Sequence, residues 1–317
     1  MTRLKTFVTR LWQGDAPMTA AGLLMVAAFA ASLAGMWLDP RTIGGAPAWL
    51  KPAKFAASTG MYSLTLAWVF TYLPGWRRTR RLVGRTTAAV IVLEVAIIDA
   101  QAWRGTTSHF NVGTPLDIAL FSIMGLAIML QTLASVAVAV ALWRQTFADR
   151  AFGWALRLGM SITIIGAASG GLMTQPTHAQ MIEVRTTGRM TVAGSHTVGA
   201  SDGGPGLPGT GWSMEHGDLR VPHFLGLHAL QAFPLILLGV RRRRWSEAPR
   251  VRLVLAAAGS YFSLFTILLW QALRGQSLIN PDPTMTAVLA MWATATVAAV
   301  LMVTAHREPM RAPAHAC

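Results

Sequence analysis

PLDIALFSIMGLAIMLQTLASVAVAVAL, residues 115–142, carries no ionisable side chain after Asp117. A helix rises 1.5 Å per residue, so about 20 apolar residues cross the ~30 Å hydrocarbon core of a bilayer. A stretch this long without a charge reads as a transmembrane helix, and the chain around it repeats the pattern. Apolar runs also occupy 18–38, 53–73, 86–103, 154–174, 221–240, 251–272 and 284–304. The expected fold is therefore all-α, a polytopic membrane bundle of about eight transmembrane helices. The composition agrees, since 53% of the 317 residues are hydrophobic and only 13% charged, too few to cover a soluble surface.

The run at 18–38 exceeds the ~7–15 apolar residues of a signal-peptide core, so it reads as a retained helix. The net charge of +14 is not a nucleic-acid signal, because the basic residues stand in short clusters between apolar runs. Arg77, Arg78, Arg80, Arg81 and Arg85, then Arg144 and Arg150, then Arg241 to Arg244 with Arg250 fall in alternate loops, and Arg307 and Arg311 in the tail join them. The intervening loops hold isolated cations such as Arg41, Lys51, Arg104 and Arg220. The positive-inside rule then places both termini in the cytoplasm of a bacterial-type inner membrane. Trp37, Trp49, Trp76, Trp103, Trp143, Trp154 and Trp270 lie near run ends, as an aromatic belt would. The single cysteine, Cys317, excludes an internal disulfide and any cysteine metal motif.

Two segments resemble each other across the chain. Leu50-Lys51-Pro52-Ala53-Lys54-Phe55 corresponds to Leu219-Arg220-Val221-Pro222-His223-Phe224, and Gln101-Ala102-Trp103-Arg104-Gly105 to Gln271-Ala272-Leu273-Arg274-Gly275. The offsets, 169 and 170 residues, agree in register. They point to a parallel 4+4 tandem repeat related by an axis along the membrane normal. Residues 1–174 would form the first repeat, and 221–317 the rest of the second with a cytoplasmic tail. Between them, 175–220 forms a long outside loop rich in glycine and proline, without clear secondary structure, expected to fold back over the bundle. The copies differ in chemistry. Glu94 and Asp99 align with Leu264 and Leu269, and His228 with Thr59.

Ionisable groups inside a membrane are costly, which makes Glu94 and Asp99 the candidate catalytic or proton-coupling groups. Glu94 lies about 13 Å deep, counted from the end of its run at helical rise. His109, His223, His228 and Asp117 offer imidazole and carboxylate ligands for a transition metal, and imidazole also suits haem iron. Arg104 and Arg274, with Lys54, Gln101 and Gln231, would bind an anionic ligand or haem propionates. His196 and His216 in the long loop would complete a ligand set. One outward-facing cavity between the repeats should gather these groups. The functions compatible with it are a haem or metal redox protein, a secondary transporter of a small anionic or polar solute using Glu94 or Asp99, and a metal-dependent hydrolase or transferase acting on lipid. The partners expected are the bilayer and a small anion, not nucleic acid.

Overall fold

The computed structural model describes residues 2–240 and 245–305, with side chains from residue 5. The expected cytoplasmic cations Arg241 to Arg244, Arg307 and Arg311 lie outside the described residues. The chain runs α1 (Thr2–Gly14), α2 (Ala16–Leu38), β1 (Thr42–Ile43), β2 (Ala46–Pro47), α3 (Leu50–Phe70), α4 (Arg77–Trp103), α5 (Pro115–Arg144) and α6 (Arg150–Ser169). A 3-10 turn (Gly170–Thr174), α7 (His178–Thr187), β3 (Thr197–Val198), β4 (Gly217–Asp218), α8 (Arg220–Leu227), α9 (Ala229–Val240), α10 (Glu247–Leu273) and α11 (Pro283–Ala305) follow.

Local chemistry sets the helix starts. Asp15 caps α2 by accepting from the Met18 amide, Thr114 caps α5 from the Asp117 amide, and Asp149 caps α6 from the Phe152 amide. Each satisfies an amide that the first helical turn leaves without a partner. Pro17 and Pro115 sit in first turns, where a missing N–H does no harm. Inside, α2 packs on α3, α4 on α5, α6 on α8 and α9, and α10 on both α6 and α11.

Among the described residues, five segments are long and apolar enough to cross a membrane: Ala16–Leu38, Pro115–Arg144, Arg150–Thr187, Glu247–Leu273 and Pro283–Ala305. The pair α8 and α9 makes a sixth if counted as one span bent by 54°. The other two expected spans are helical but less apolar. Lys51, Lys54 and a row of hydroxyls interrupt α3. Helix α4 begins at Arg77 rather than at residue 86, because its arginine-rich first turns are good helix formers. Outward faces of the apolar helices carry large hydrophobics, among them Leu126, Leu133, Met291 and Leu301, as lipid contact demands.

The bend between α8 and α9 falls at His228. Gly226 lies so close to Gly166 of α6 that a methyl on either would overlap the other's backbone. Thr163 Oγ1 accepts from the Leu230 amide at 3.2 Å and donates to the Leu227 carbonyl at 3.4 Å, and the Tyr261 hydroxyl donates to the Leu225 carbonyl at 2.6 Å. These side chains re-satisfy backbone groups that a broken helix frees, the condition for tolerating a break at membrane depth.

Residues 175–220 hold more structure than expected. Besides α7 and the β3–β4 pair, the segment is bonded to its surroundings along its length. Ala193 donates to the Phe110 carbonyl, Ser195 to Met173 and Leu219 to His196, while Val112 donates to Thr191. Lys54 Nζ donates to the Thr210 carbonyl at 2.5 Å. The loop is thus a roof tied to α3, to the α4–α5 turn and to the end of the 3-10 turn.

Candidate functional site

Under this roof lies a chamber of about 580 Å³. Its floor is the start of α3, one side is the 43–50 hairpin, another the 106–108 turn, and the glycine-rich segment 200–211 closes the top. Gly45, Gly203, Gly209 and Gly211 all have positive φ, a backbone state that side-chain-bearing residues rarely adopt. The glycines let the main chain approach a ligand closely.

Three cations line the chamber. Lys51 and Lys54 stand three residues apart, on one face of α3. Arg220 enters from the start of α8, held by Asp218 at 2.5 Å and by the Gly211 carbonyl at 2.6 Å. Asp218 is 2% exposed and also accepts from the Ser213 amide at 2.8 Å, so it fixes the arginine and the roof together. Glu215 and His216 are in the wall, as are His196 and Asp202, whose side chains meet at 2.7 Å. Burial pushes the His196 imidazole below its usual range, although Asp202 pulls the other way and Lys51 and Arg220 reinforce the fall. Burial also works to raise Asp202, but hydrogen bonds from His196 and Thr197 and the His196 charge more than reverse it, holding the carboxyl well below the usual range.

Behind the wall formed by Lys51 and Phe55 sits Glu94, 2% exposed. Its Oε1 is 3.4 Å from His109 Nε2, and Ser108 Oγ is 3.1 Å from His109 Nδ1. The imidazole packs at a tilt against Phe55, with ring centroids 5.3 Å apart. Burial, with Lys51 next, holds His109 well below its ordinary value. The turn that carries it is strained: Phe110 is buried at φ 63, uncommon for a bulky side chain. Its carbonyl accepts from Ala193 and its ring meets His196 at 4.8 Å. The roof therefore holds the conformation that aims His109 at Glu94.

Of the residues picked from the sequence, the structure joins Glu94 to His109 and puts Lys54 in the chamber wall. Gln101, Arg104 and Asp117 form a separate network. Asp117 Oδ1 accepts from Gln101 at 2.9 Å and from Arg104 at 2.8 Å, and Oδ2 accepts from Thr114 at 2.6 Å. Arg274 is engaged likewise by Asp282 at 2.7 Å and lies over Trp270. Neither arginine lines the chamber. His223 Nδ1 lies 2.8 Å from the Gly166 carbonyl, and His228 Nε2 lies 3.3 Å from Ser58 Oγ. Gln231 donates to Thr65 at 3.4 Å. Asp99 is half-buried, its Oδ1 without a hydrogen-bond partner among the described residues. The three histidines expected to share a ligand thus have separate partners. Among the described residues no group of three or more His, Cys, Asp or Glu is placed to hold a metal ion.

The sequence reading did not select Lys51 or Arg220, although the first cation of each repeated motif reaches the chamber. Their signal was the alignment of Leu50-Lys51 with Leu219-Arg220. The His196–Asp202 and Asp218–Arg220 pairs left no comparable trace. The chain matches no known family model, curated protein or solved structure, so its chemistry is read from these side chains alone.

Proposed function

We propose that the chain is an inner-membrane secondary carrier that loads a small organic anion from the outer side, using Glu94 and His109 as its proton-binding pair. The observation that carries the reading is the convergence of Lys51, Lys54 and Arg220 on one glycine-roofed chamber. Its volume falls in the range of metabolite-sized sites. Arginine clusters at the opposite helix ends support eight spans with both termini cytoplasmic and the chamber outside.

A parallel 4+4 repeat fits the same picture. Helix α2 on α3 has its counterpart in α6 on α8 and α9, and α4 on α5 in α10 on α11. The Gln101 amide donates to the carbonyl six residues on, and so does Gln271. Arg104 and Arg274 each pair with an aspartate near the start of the next helix, Asp117 and Asp282, and Gly105 and Gly275 both have positive φ. Lys51 and Arg220 are equivalent in the repeat, so each half would contribute one cation to a shared site, as parallel-repeat carriers do.

Glu94 is ionisable, buried and without a hydrogen-bond partner among the described residues, the setting of a proton-coupling carboxyl. Loading an anion beside it favours protonation, and the two would cross as a neutral pair. The test is binding of a panel of carboxylates and phosphate monoesters to purified protein, followed by uptake into liposomes under an imposed pH gradient. Lys54→Gln should weaken binding about tenfold or more, the loss of one charge-assisted contact. Glu94→Gln should bind but no longer respond to the gradient. Binding indifferent to Lys51, Lys54 and Arg220 would sink the proposal.

A hydrolase acting on an anionic substrate is the second reading. It is favoured by Ser108, which lines the chamber and lies beside His109, with Glu94 on the far ring nitrogen. Hydrolysis of a chamber ligand, lost in Ser108→Ala, would select it.

A further inference from the structure

The chamber's lining on α3 ends at Lys54 and Phe55, but the polar face of the helix does not. Along the same face of α3, at helical spacing, stand Ser58, Tyr62 and Thr65. Each meets a polar side chain from another helix. Ser58 faces His228 at the α8–α9 break, 3.3 Å away. The Tyr62 hydroxyl lies 3.0 Å from Ser135 Oγ and 3.4 Å from the Gln131 amide, both on α5. Thr65 accepts from Gln231 of α9 at 3.4 Å. From Leu50 to Thr65 this seam descends about 22 Å at helical rise.

It then stops. The next residue, Leu66, joins Phe70, Leu73, Leu142, Leu156 and Met160 in a cluster with at most 1% exposure. A polar line that begins next to the chamber-lining Lys54 and is closed by apolar side chains at the far end has the form of a route that is shut.

Two features separate the seam from ordinary polar glue between helices. Its contacts at Ser58, Gln131, Thr65 and Gln231 are long, 3.3–3.4 Å. The carbonyl oxygens of Gln131 and Gln231 are buried with no hydrogen-bond partner among the described residues, although nearly all buried polar atoms in proteins find one. A buried acceptor left over calls for a donor. The seam therefore offers donors from hydroxyls, amides and an imidazole, and acceptors from two amide carbonyls.

We infer that the α3 seam is the inner part of the translocation route, and that the anion it passes also carries hydrogen-bond donors, as a hydroxy acid, amino acid or sugar acid does. This rests on the carrier reading and narrows its substrate class. The anionic group would be held by the chamber cations, and the hydroxyl or amine groups would satisfy Gln131 and Gln231. The His228 break adds the moving part, since it lies at the top of the seam and is clamped by hydrogen bonds from Thr163 and Tyr261 rather than by a continuous helix.

Cysteine accessibility tests this without a transport assay. In a Cys317→Ser background, single cysteines are placed at Ser58, Thr65 and Ser135. Controls are Met61→Cys, on the exposed face of α3, and Leu66→Cys in the plug. Membrane-impermeant methanethiosulfonate ethylsulfonate is added from the chamber side. Because only the thiolate reacts and it forms where water reaches, seam cysteines should label at least about tenfold faster than both controls. A panel anion with hydroxyl or amine groups should slow labelling, and its donor-free analogue should not. Seam cysteines as inert as Leu66→Cys overturn the route, while anion binding at Lys54 would keep the carrier reading intact. Equal protection by both analogues overturns the substrate class. Labelling without protection by any anion leaves the seam as a water-filled path and removes the carrier reading.

Discussion

Asp218→Asn tests whether one buried carboxylate holds the chamber roof. Asp218 Oδ1 accepts from the Arg220 amide and Nε, both at 2.9 Å, and Oδ2 accepts from Ser213 N at 2.8 Å and Arg220 Nη2 at 2.5 Å. In asparagine one of these oxygens becomes an amide that faces donors, and the charge is lost. About two charge-assisted bonds disappear, each worth about 1.5–3 kcal/mol. Arg220 keeps its bond to the Gly211 carbonyl, and its side chain is 27% exposed, so water recovers part of the loss. A net weakening of about 2 kcal/mol is expected, which is about 30-fold in the opening equilibrium. Hydrogen exchange of the 205–219 peptide in detergent-solubilised protein reads this directly, with α5 peptides as the control. Exchange accelerated at 205–219 and unchanged in α5 is the expected result. Less than about a threefold change would refute the assignment of Asp218, because a solvent-competent pair of that value belongs to an exposed ion pair.

Three other outcomes follow from the fold. Thr163→Val removes the hydroxyl that serves both sides of the α8–α9 break, leaves the Leu230 amide buried without an acceptor, and should lower stability by about 1–2 kcal/mol in a denaturation series. The roof should weaken on acidification: His196 is held below its unfolded value, so the unfolded segment takes up the proton first as pH falls below about 6.5, and Asp202, held low as well, loses its contribution at still lower pH. Exchange of 195–203, corrected for intrinsic rate, should be faster at pH 5 than at pH 7.5, and greater protection at pH 5 would contradict the sign. Phosphatase fusions after residues 80 and 195 should be inactive and active respectively, and the reverse would invert the proposed topology.

The helices were legible because their signal is local. Long uncharged runs reappear as α2, α5, α10 and α11 within a few residues of the expected ends. The break at His228 was not legible, since nothing in Leu227-His228-Ala229 forbids a helix. It arises from Gly226 meeting Gly166, and from Thr163 and Tyr261 capturing the freed backbone, which are tertiary facts. The pairing of Glu94 with His109 was hidden for a similar reason. Fifteen residues separate them, and their approach depends on Phe110 at positive φ, a state that the roof imposes through Ala193. Lys54 was found from its motif. Arg104 and Arg274 were read as anion-binding because the motif repeats, yet each is engaged by an aspartate of its own, Asp117 and Asp282.

In the proposed repeat, what the two halves share and what they do not share would divide the molecule's tasks. The shared elements, the Gln-Ala-x-Arg-Gly turns with their arginine–aspartate pairs, close helix connections within each half, and neither arginine of a pair lines the chamber. The paired cations Lys51 and Arg220 reach it from opposite halves. The unshared elements lie along the line between them. Helix α3 runs unbroken and carries the hydroxyls, with Thr59 bonded back to its own Phe55 carbonyl. Its counterpart is broken at His228, where Thr59 has its equivalent. In the proposed carrier a continuous polar helix facing a bent one would give a seam able to part on one side without unfolding, because the bend already has backbone bonds from α6 and α10. Glu94 belongs to the unbroken half, beside His109 and the roof. In the proposed carrier the proton-binding group would therefore sit on the unbroken side and the moving element on the other, linked through the bound anion and the Ser58–His228 contact.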